Sequence, residues 1–362
     1  MFGLVNFLFV ILSAEVVFSA FFMDVHLSFQ FYELPLAHPF TISRYTVTVQ
    51  KTVVVTISDG VISGHGEATV NPYYHSTVER LTQSLAKIQA FADFSSGLHP
   101  IQMWEQIAPL VAEDYFALDA VDMAYWDFYA RKNKRTLRSY FLRDDSKLPL
   151  TSYTIGIDSI EVMQQKILEK PWPIYKIKLG TPNDIQIVET LRKVTDAVFR
   201  IDANCAWTTE QTIENARILK NLNVEFIEQP LKAEDIEGMK RLKANSVLPI
   251  IADESCQREE DVDLCCEIFH GINIKLTKCG GITPALRMIE KARKDNLLIM
   301  AGCMTESTVG ISGLVQIAPL LDYLDADGAL LLQSDIATGA AFDFGKIIYP
   351  KAFGTGAEIY PQ

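Results

Sequence analysis

The spacing of hydrophobic and polar residues changes along the chain. Between residues 23 and about 66, the stretch TVTVQKTVVVTISDGVISGHGEA alternates and is rich in Val and Thr. This pattern is typical of strands, and Ser58-Asp59-Gly60 predicts a hairpin turn between two of them. From about residue 76 to 132, apolar positions recur at helical spacing, as in ALDAVDMAYWDFYARK. The first third of the chain is therefore predicted to be an α+β unit.

After about Leu148, short apolar runs alternate with amphipathic stretches such as TTEQTIENARILKNLN. Strand–helix alternation repeated in this way predicts the α/β class and a parallel (β/α) barrel. No Gly-rich loop follows the first run, which argues against a doubly wound nucleotide-binding fold. The eight predicted strands are SYTIGI (152–157), PIYKIKL (173–179), VFRIDA (198–203), VEFIEQ (224–229), LPIIADE (248–254), GINIKL (271–276), LLIMAGC (297–303) and DYLDAD (322–327).

Charged residues recur at the C-terminal ends of these predicted strands, roughly 25 residues apart. Strands of a parallel barrel are buried on both faces, so a charge there is costly unless it serves the barrel mouth. The spacing places all of these charges at one end of the barrel. They are Lys176, Lys178, Asp202, Glu228, Asp253, Lys275, Asp325 and Asp327.

Three of these residues, Asp202, Glu228 and Asp253, supply oxygen ligands from neighbouring strands, a set that suits one Mg²⁺. The alternative is that each carboxylate caps the following helix. Because three occur in register and lysines flank them, we favour the metal site.

The lysines indicate proton transfer. Lys176 and Lys178 share a strand face, and we expect their mutual repulsion beside a cation to lower a lysine pKa towards that of a general base. Lys275, four strands further on, approaches from the opposite side, with Lys278 as its rival on the same loop. Two lysines on opposite faces of one carbon are suited to a 1,1-proton transfer, in which the metal holds a substrate carboxylate and stabilises an enediolate. The alternative for Lys275 is a snorkelling barrel lysine.

Taken together, the motifs resemble those of the enolase superfamily, in its muconate-lactonizing subgroup, over about residues 24–362. The ordered set is KIK (176–178), IDAN (201–204), EQP (228–230), ADES (252–255), NIKLTKCGGI (273–282) and GCMTES (302–307). The resemblance implies a (β/α)7β TIM-like barrel covered by an α+β N-terminal capping domain. We expect the capping domain at 23–132, the barrel at 133–340, and a final segment, 341–362, that packs back on the capping domain.

The resemblance also implies residue roles. Lys178 and Lys275 would be the acid/base pair and Lys176 would tune Lys178, while Asp202, Glu228 and Asp253 would bind Mg²⁺. Glu306 in GCMTES is similar to a residue that positions or neutralises the sixth-strand lysine, with a surface glutamate as the alternative. This enzyme class works with Lys or His bases and Mg²⁺.

Within the subgroup, LDADGALLL (324–332) resembles the dipeptide epimerases of the L-Ala-D/L-Glu type, which implies peptidoglycan peptide metabolism. Asp325 and Asp327 share a face and would bind the α-ammonium group of a dipeptide. Arg44, in a loop that resembles a mobile capping loop, would pair with an acidic substrate side chain, and Tyr73 would line the pocket. N-acylamino acid racemase, o-succinylbenzoate synthase and muconate cycloisomerase stay open as alternatives.

Other function classes fit less well. A His–Asp dyad is disfavoured because none of the six histidines follows a barrel strand, and a non-catalytic binding protein predicts missing ligands or lysines. The net charge of −12 argues against a nucleic-acid partner. Six cysteines without a CxxC motif favour reduced thiols, and we expect a cytoplasmic homo-oligomer.

Residues 1–22 are almost entirely apolar and inflate the 49% hydrophobic content of the chain. No Lys or Arg precedes Arg44, so neither a signal peptide nor an oriented spanning helix is well indicated. We expect this segment to lie outside the functional enzyme, with translation starting at Met23. The alternative is an export or membrane-anchor segment.

Overall fold

The computed structural model describes residues 24–42, 45–111, 114–141 and 147–361. The predictions for residues 1–22 and for Arg44 fall outside these ranges. Within them, no helix has the length and apolar character needed to cross a membrane.

The N-terminal unit is a three-stranded antiparallel sheet packed on helices. Its strands are β1 (His26–Thr41), β2 (Thr46–Ser58) and β3 (Ser63–Thr69), and its helices are α1 (Val78–Phe91), α2 (Pro100–Ile107) and α3 (Tyr115–Lys132). The predicted hairpin between β2 and β3 is confirmed, with Asp59 Oδ1 accepting hydrogen bonds from the Val61 and Ile62 amides.

Helix α3 is buried along most of its length and lies directly against β3. The glycines of GHGEA permit this approach. A Cβ atom added to Gly64 would lie 2.1 Å from Phe128 N, and one added to Gly66 would lie 2.1 Å from Ala120 O. The sequence SGHGEAT therefore places β3, and the Glu67 that it carries, against the helix that faces the barrel.

All eight predicted barrel strands are present, parallel and in chain order. They are β4 (Tyr153–Ile155), β5 (Ile174–Lys178), β6 (Val198–Asp202), β7 (Val224–Glu228), β8 (Ile250–Ala252), β9 (Gly271–Ile274), β10 (Leu298–Gly302) and β11 (Tyr323–Asp325). Thr151 forms a parallel bridge with Leu324, and the Ser152 amide donates to Leu324 O over 3.3 Å. The last strand thus returns to the first, which confirms the (β/α)7β barrel.

Helices fill the seven connections between these strands and bury their apolar faces on the barrel. They are α4 (Ile160–Glu169), α5 (Asp184–Leu191), α6 (Thr209–Lys220), α7 (Ile236–Asn245), α8 (Asp261–Ile268), α9 (Leu276–Cys279) with α10 (Ile282–Lys294), and α11 (Thr308–Leu314). Since helices on the outer face follow the first seven strands, the strand ends at the mouth stay available for the site.

Four short strands follow the barrel: β12 (Ala337–Thr338), β13 (Ala341–Asp343), β14 (Lys346–Ile348) and β15 (Glu358–Ile359). Glu358, the first residue of β15, forms an ion pair with Arg131 of α3 at 2.6 Å. The Thr355 amide donates a hydrogen bond of 2.7 Å to Asp127, which also lies on α3. These bonds connect the C-terminal segment to α3. The domain boundaries stay a prediction.

Candidate active site

Three carboxylates meet at the C-terminal ends of consecutive strands. Asp202 ends β6, Glu228 ends β7, and Asp253 directly follows β8. One oxygen atom from each lies within 4.8 Å of those from the other two, and all three residues are almost fully buried. Hard carboxylate oxygens in such a cluster fit Mg²⁺.

Electrostatics support this fit. Burial, followed by the charge of Asp202, raises the pKa of Glu228 to about 7. Burial acts in the same direction on Asp202, but Lys178 and Lys176 outweigh it and lower the pKa of Asp202 to about 2. Two like charges beside one another are costly in a buried site, and a divalent cation among them offsets that cost.

On one side of this cluster, β5 presents Lys176 and Lys178. Lys176 Nζ lies 2.8 Å from Glu228 Oε2, 2.8 Å from Asp325 Oδ2 and 3.2 Å from Asp202 Oδ2. Lys178 Nζ contacts Asp202 Oδ2 at 2.6 Å.

The expected lowering of a lysine pKa is wrong for Lys275 and for Lys176. At Lys275, burial favours the neutral form, but the charge of Asp253 outweighs burial and raises the pKa. At Lys176, burial does favour the neutral form, but the surrounding carboxylates, led by Asp325, raise its pKa well above the ordinary value.

On the other side, Lys275 follows β9, and its Nζ lies 2.8 Å from Asp253 Oδ2. Its rival Lys278 is enclosed: Nζ donates to Asp253 Oδ1 and to the backbone carbonyls of Asp253, Cys256 and Asn273. Lys275 lines the cavity at the barrel mouth, as Lys176 and Lys178 do, whereas Lys278 does not. The structure therefore separates the two lysines that the sequence left as rivals.

The two aspartates at the end of β11, Asp325 and Asp327, also differ in their hydrogen-bond partners. Asp325 accepts from Lys176 at one oxygen and from Ser152 Oγ, at 2.6 Å, at the other. Asp327 lies beyond the strand and accepts from the Thr154 amide at 2.6 Å. Burial, followed by the charge of Asp325, raises the pKa of Asp327 to about 7. Both residues line the cavity, but the lysine already engages Asp325.

Glu306 is buried rather than on the surface, and its Oε1 accepts from the Met304 amide at 2.9 Å. Burial, followed by the charge of Glu67, raises its pKa to about 8, while Lys275 acts in the opposite direction. Glu306 is thus electrostatically coupled to the lysine that the resemblance assigned to it.

A cavity lies between the two units at the barrel mouth. Tyr73 lines it, and Phe40, Ile42, Tyr45 and Leu331 contribute an apolar wall. Its polar floor consists of Lys178, Lys275 and Asp327 with their neighbours. An apolar wall around a few convergent polar groups is typical of a small-molecule site.

Sequence reasoning missed Asn273, whose side-chain amide donates to Glu228 Oε1 over 2.8 Å. Asn273 lies two residues before Lys275, and this spacing would have placed both on one face of the strand. Ser152 and Thr154, which hold the acidic pair, gave no comparable signal. All six cysteines are free thiols, and of these Cys303 lines the cavity.

Two family models match the chain. Residues 28–139 match the mandelate racemase / muconate lactonizing enzyme N-terminal domain, and residues 159–362 match the enolase C-terminal domain-like family. The L-Ala-D/L-amino acid epimerase of Flavobacterium johnsoniae is 52% identical over 91% of this chain and 98% of its own length. The L-Ala-D/L-Glu epimerase of Bacteroides thetaiotaomicron is 35% identical over 90% of this chain and 85% of its own.

Solved structures agree with this relationship. The substrate-liganded L-Ala-D/L-Glu epimerase of Bacillus subtilis superposes with a TM-score of 0.86 at 26% identity, covering 92% of this chain and 99% of the other. A dipeptide epimerase from Enterococcus faecalis, complexed with Mg and the dipeptide L-Leu-L-Tyr, gives 0.84 at 29% identity, over 92% and 99%. The chain belongs to the mandelate racemase / muconate lactonizing enzyme family of the enolase superfamily.

Proposed function

We propose that this protein is a Mg²⁺-dependent dipeptide epimerase, which transfers a proton at the α-carbon of the C-terminal residue of a dipeptide such as L-Ala-D/L-Glu. The observation that carries the proposal is the pair Lys178 and Lys275. These lysines lie on the second and sixth of eight strands, on opposite sides of one cavity, each with a single carboxylate partner. The epimerase activities of the relatives support the same reaction.

The reaction balances with these two groups. A neutral lysine takes the α-proton, and the C–H electron pair moves into the substrate carboxylate. The ammonium group of the opposite lysine then donates its proton to the other face of the carbon, which inverts its configuration. Bound Mg²⁺ would supply positive charge to the carboxylate, held by Asp202, Glu228 and Asp253.

Amine recognition is assigned to Asp327. Burial and the charge of Asp325 raise the pKa of Asp327, so a cation in the cavity would stabilise the ionised form of Asp327. The α-ammonium group of a free dipeptide is such a cation, whereas an N-acylated amino acid carries none. The position of Asp327 in the cavity therefore favours a dipeptide over the N-acyl substrates of the same subgroup.

Arg44 and Tyr73 would select the substrate side chain, and this role stays a prediction, as do the cytoplasmic location and the homo-oligomeric state. Peptidoglycan peptide metabolism, inferred from the resemblance, is a further prediction.

The test is α-proton exchange in D₂O. The full chain is freed of metal with EDTA, resupplied with Mg²⁺ and incubated with a panel of L-Ala-L-Xaa dipeptides and with N-acetyl and N-succinyl amino acids. We expect loss of the α-proton signal of the C-terminal residue by NMR, with epimer formation, for dipeptides only and only with Mg²⁺. A protein carrying Lys178→Ala and Lys275→Ala is the control. Turnover of N-acyl amino acids alone, or no exchange with any substrate, would overturn the proposal.

A further inference from the structure

A glutamate of the capping domain reaches into the barrel. Glu67 lies on β3, within GHGEA, and is completely buried. Its Oε1 accepts from Thr52 Oγ1 at 2.8 Å and from the Ser307 amide at 3.0 Å. Its Oε2 accepts from Ser307 Oγ at 2.5 Å and from the Gly310 amide at 2.9 Å. Three of these four donors belong to the barrel, so one carboxylate joins the two units.

The bonds fix the far end of the segment 303–307. Ser307 Oγ accepts from the Val309 amide at 3.1 Å while it donates to Glu67, and the Cys303 amide donates to Asp325 O over 2.9 Å. The segment is therefore held between β11 and Glu67. Cys303, Met304 and Thr305 line the cavity, so the position of this wall depends on a residue that does not itself line it.

Glu306 lies in the same segment, close to Glu67. A Cβ atom added to Gly310 would lie 2.4 Å from Glu306 Oε2, and the Gly310 amide donates to Glu67. Both carboxylates thus pack against one glycine that has no side chain to separate them. Three charged groups act on Glu306: Glu67 from β3, Lys275 after β9 and Asp119 from α3. Asp119 is itself buried, and burial together with the charges of both glutamates raises its pKa.

We propose that Glu67 is a positioning residue for proton transfer, which holds the 303–307 segment and so places Glu306 on the Lys275 side of the cavity. This inference rests on the proposed epimerase function. It concerns one half of the reaction, because Glu306 is coupled to Lys275.

The test compares Glu67→Gln with Asp335→Asn. Glutamine has the size of Glu67 but replaces one acceptor oxygen with an NH₂ group. This group would face two hydrogen-bond donors and could not accept from either. Asp335 is a matched control because it accepts from the Thr308 amide at 3.1 Å and from Thr308 Oγ1 at 2.7 Å, at the start of the same helix but beyond the 303–307 segment. For each variant, α-proton exchange is measured separately from each epimer, with kcat, KM and Tm.

We expect Glu67→Gln to lower kcat by about tenfold or more with KM within about threefold, because misplacement of a reacting group acts on the chemical step. Lys275→Ala is expected to abolish α-proton exchange from one of the two epimers. In Glu67→Gln, exchange from that same epimer should slow more than exchange from the other. Asp335→Asn should leave both exchange rates within about twofold of the wild type.

Equal slowing of both epimers in Glu67→Gln, or a kcat close to wild type, would overturn the inference and leave Glu67 as an interdomain staple. Ser307→Ala and Ser307→Thr give a second route if Glu67→Gln does not fold. Alanine should reproduce the epimer-selective loss and threonine should restore exchange, and wild-type rates in the alanine variant would contradict the inference. Absence of exchange in the wild type would instead refute the proposed function.

Discussion

Each side of the barrel mouth carries two lysines, and the two pairs are held differently. On β5, Lys176 contacts three carboxylates, while Lys178 contacts Asp202. After β9, Lys278 donates to three backbone carbonyls as well as to Asp253, while Lys275 contacts Asp253 alone among the carboxylates. In each pair, one lysine is enclosed by several partners and the other keeps a single one, although Lys176 lines the cavity together with Lys178 and Lys275.

The difference between the enclosed lysines shows what each pair serves. Lys176 neutralises the acidic floor, since its partners are the side chains Asp202, Glu228 and Asp325. Lys278 instead joins three stretches of backbone, at Asp253, Cys256 and Asn273, and fixes the loop that carries a metal-ligand candidate. The other lysine of each pair, Lys178 or Lys275, keeps one ion-pair partner, which orients it without occupying all three of its donors.

The largest effect should come from Lys178 and Lys275, the two lysines that keep a single carboxylate partner. Lys178→Ala or Lys275→Ala should lower epimerisation by about 10²–10⁴-fold, the range by which a positioned acid or base accelerates proton transfer. Each variant should still exchange the α-proton of one epimer, because one face keeps its base. NMR in D₂O, with separate epimers, measures this. Normal turnover in either variant would break the two-base interpretation.

A smaller effect is expected at the acidic pair. Asp327→Asn should lower kcat/KM for free dipeptides by about 10- to 150-fold, since a hydrogen bond to a charged group contributes about 1.5–3 kcal/mol. Steady-state kinetics on a dipeptide and on its N-acetylated form make the comparison. Equal losses on both substrates would remove the case for amine recognition by Asp327.

Replacement of the enclosed lysine Lys278 should mainly lower the stability of the folded protein. Lys278→Met removes the buried cation beside Asp253 Oδ1 and one donor from each of three backbone carbonyls, and breaking a buried ion pair costs about 3–5 kcal/mol. We expect a lower midpoint in urea and a higher Mg²⁺ requirement, with exchange from both epimers slowed alike. Epimer-selective exchange of the kind expected for Lys275→Ala would assign Lys278 to the chemistry and reverse the comparison.

The two pairs also differ in how far the sequence could predict them. Lys176 and Lys178 alternate on a strand, and their shared face follows from the two-residue period. The choice between Lys275 and Lys278 depends on where β9 ends, at Ile274, and a three-residue error in that boundary would exchange them. Strand-end carboxylates were predictable because charge is rare in buried parallel strands. The link between Glu67 and Ser307 was not, since it joins residues 240 positions apart through domain packing.

The smallest effect concerns the pH dependence of stability on the Lys275 side. Burial and the charge of Glu67 raise the pKa of Glu306 from 4.5 to about 8, so the folded state holds a proton that the unfolded chain releases above pH 4.5. Stability from this group is therefore complete below pH 4.5 and is lost as the pH rises towards 8. Glu306→Gln should flatten the fall in Tm between pH 5 and 8 by about 1–2 °C for each kcal/mol removed. Asp335→Asn is the control, because its carboxylate accepts hydrogen bonds from the Thr308 amide, at the start of α11, and from the Ile336 amide. A variant with the wild-type slope would mean that Glu306 is ionised in the folded protein and balances the charge of Lys275 directly.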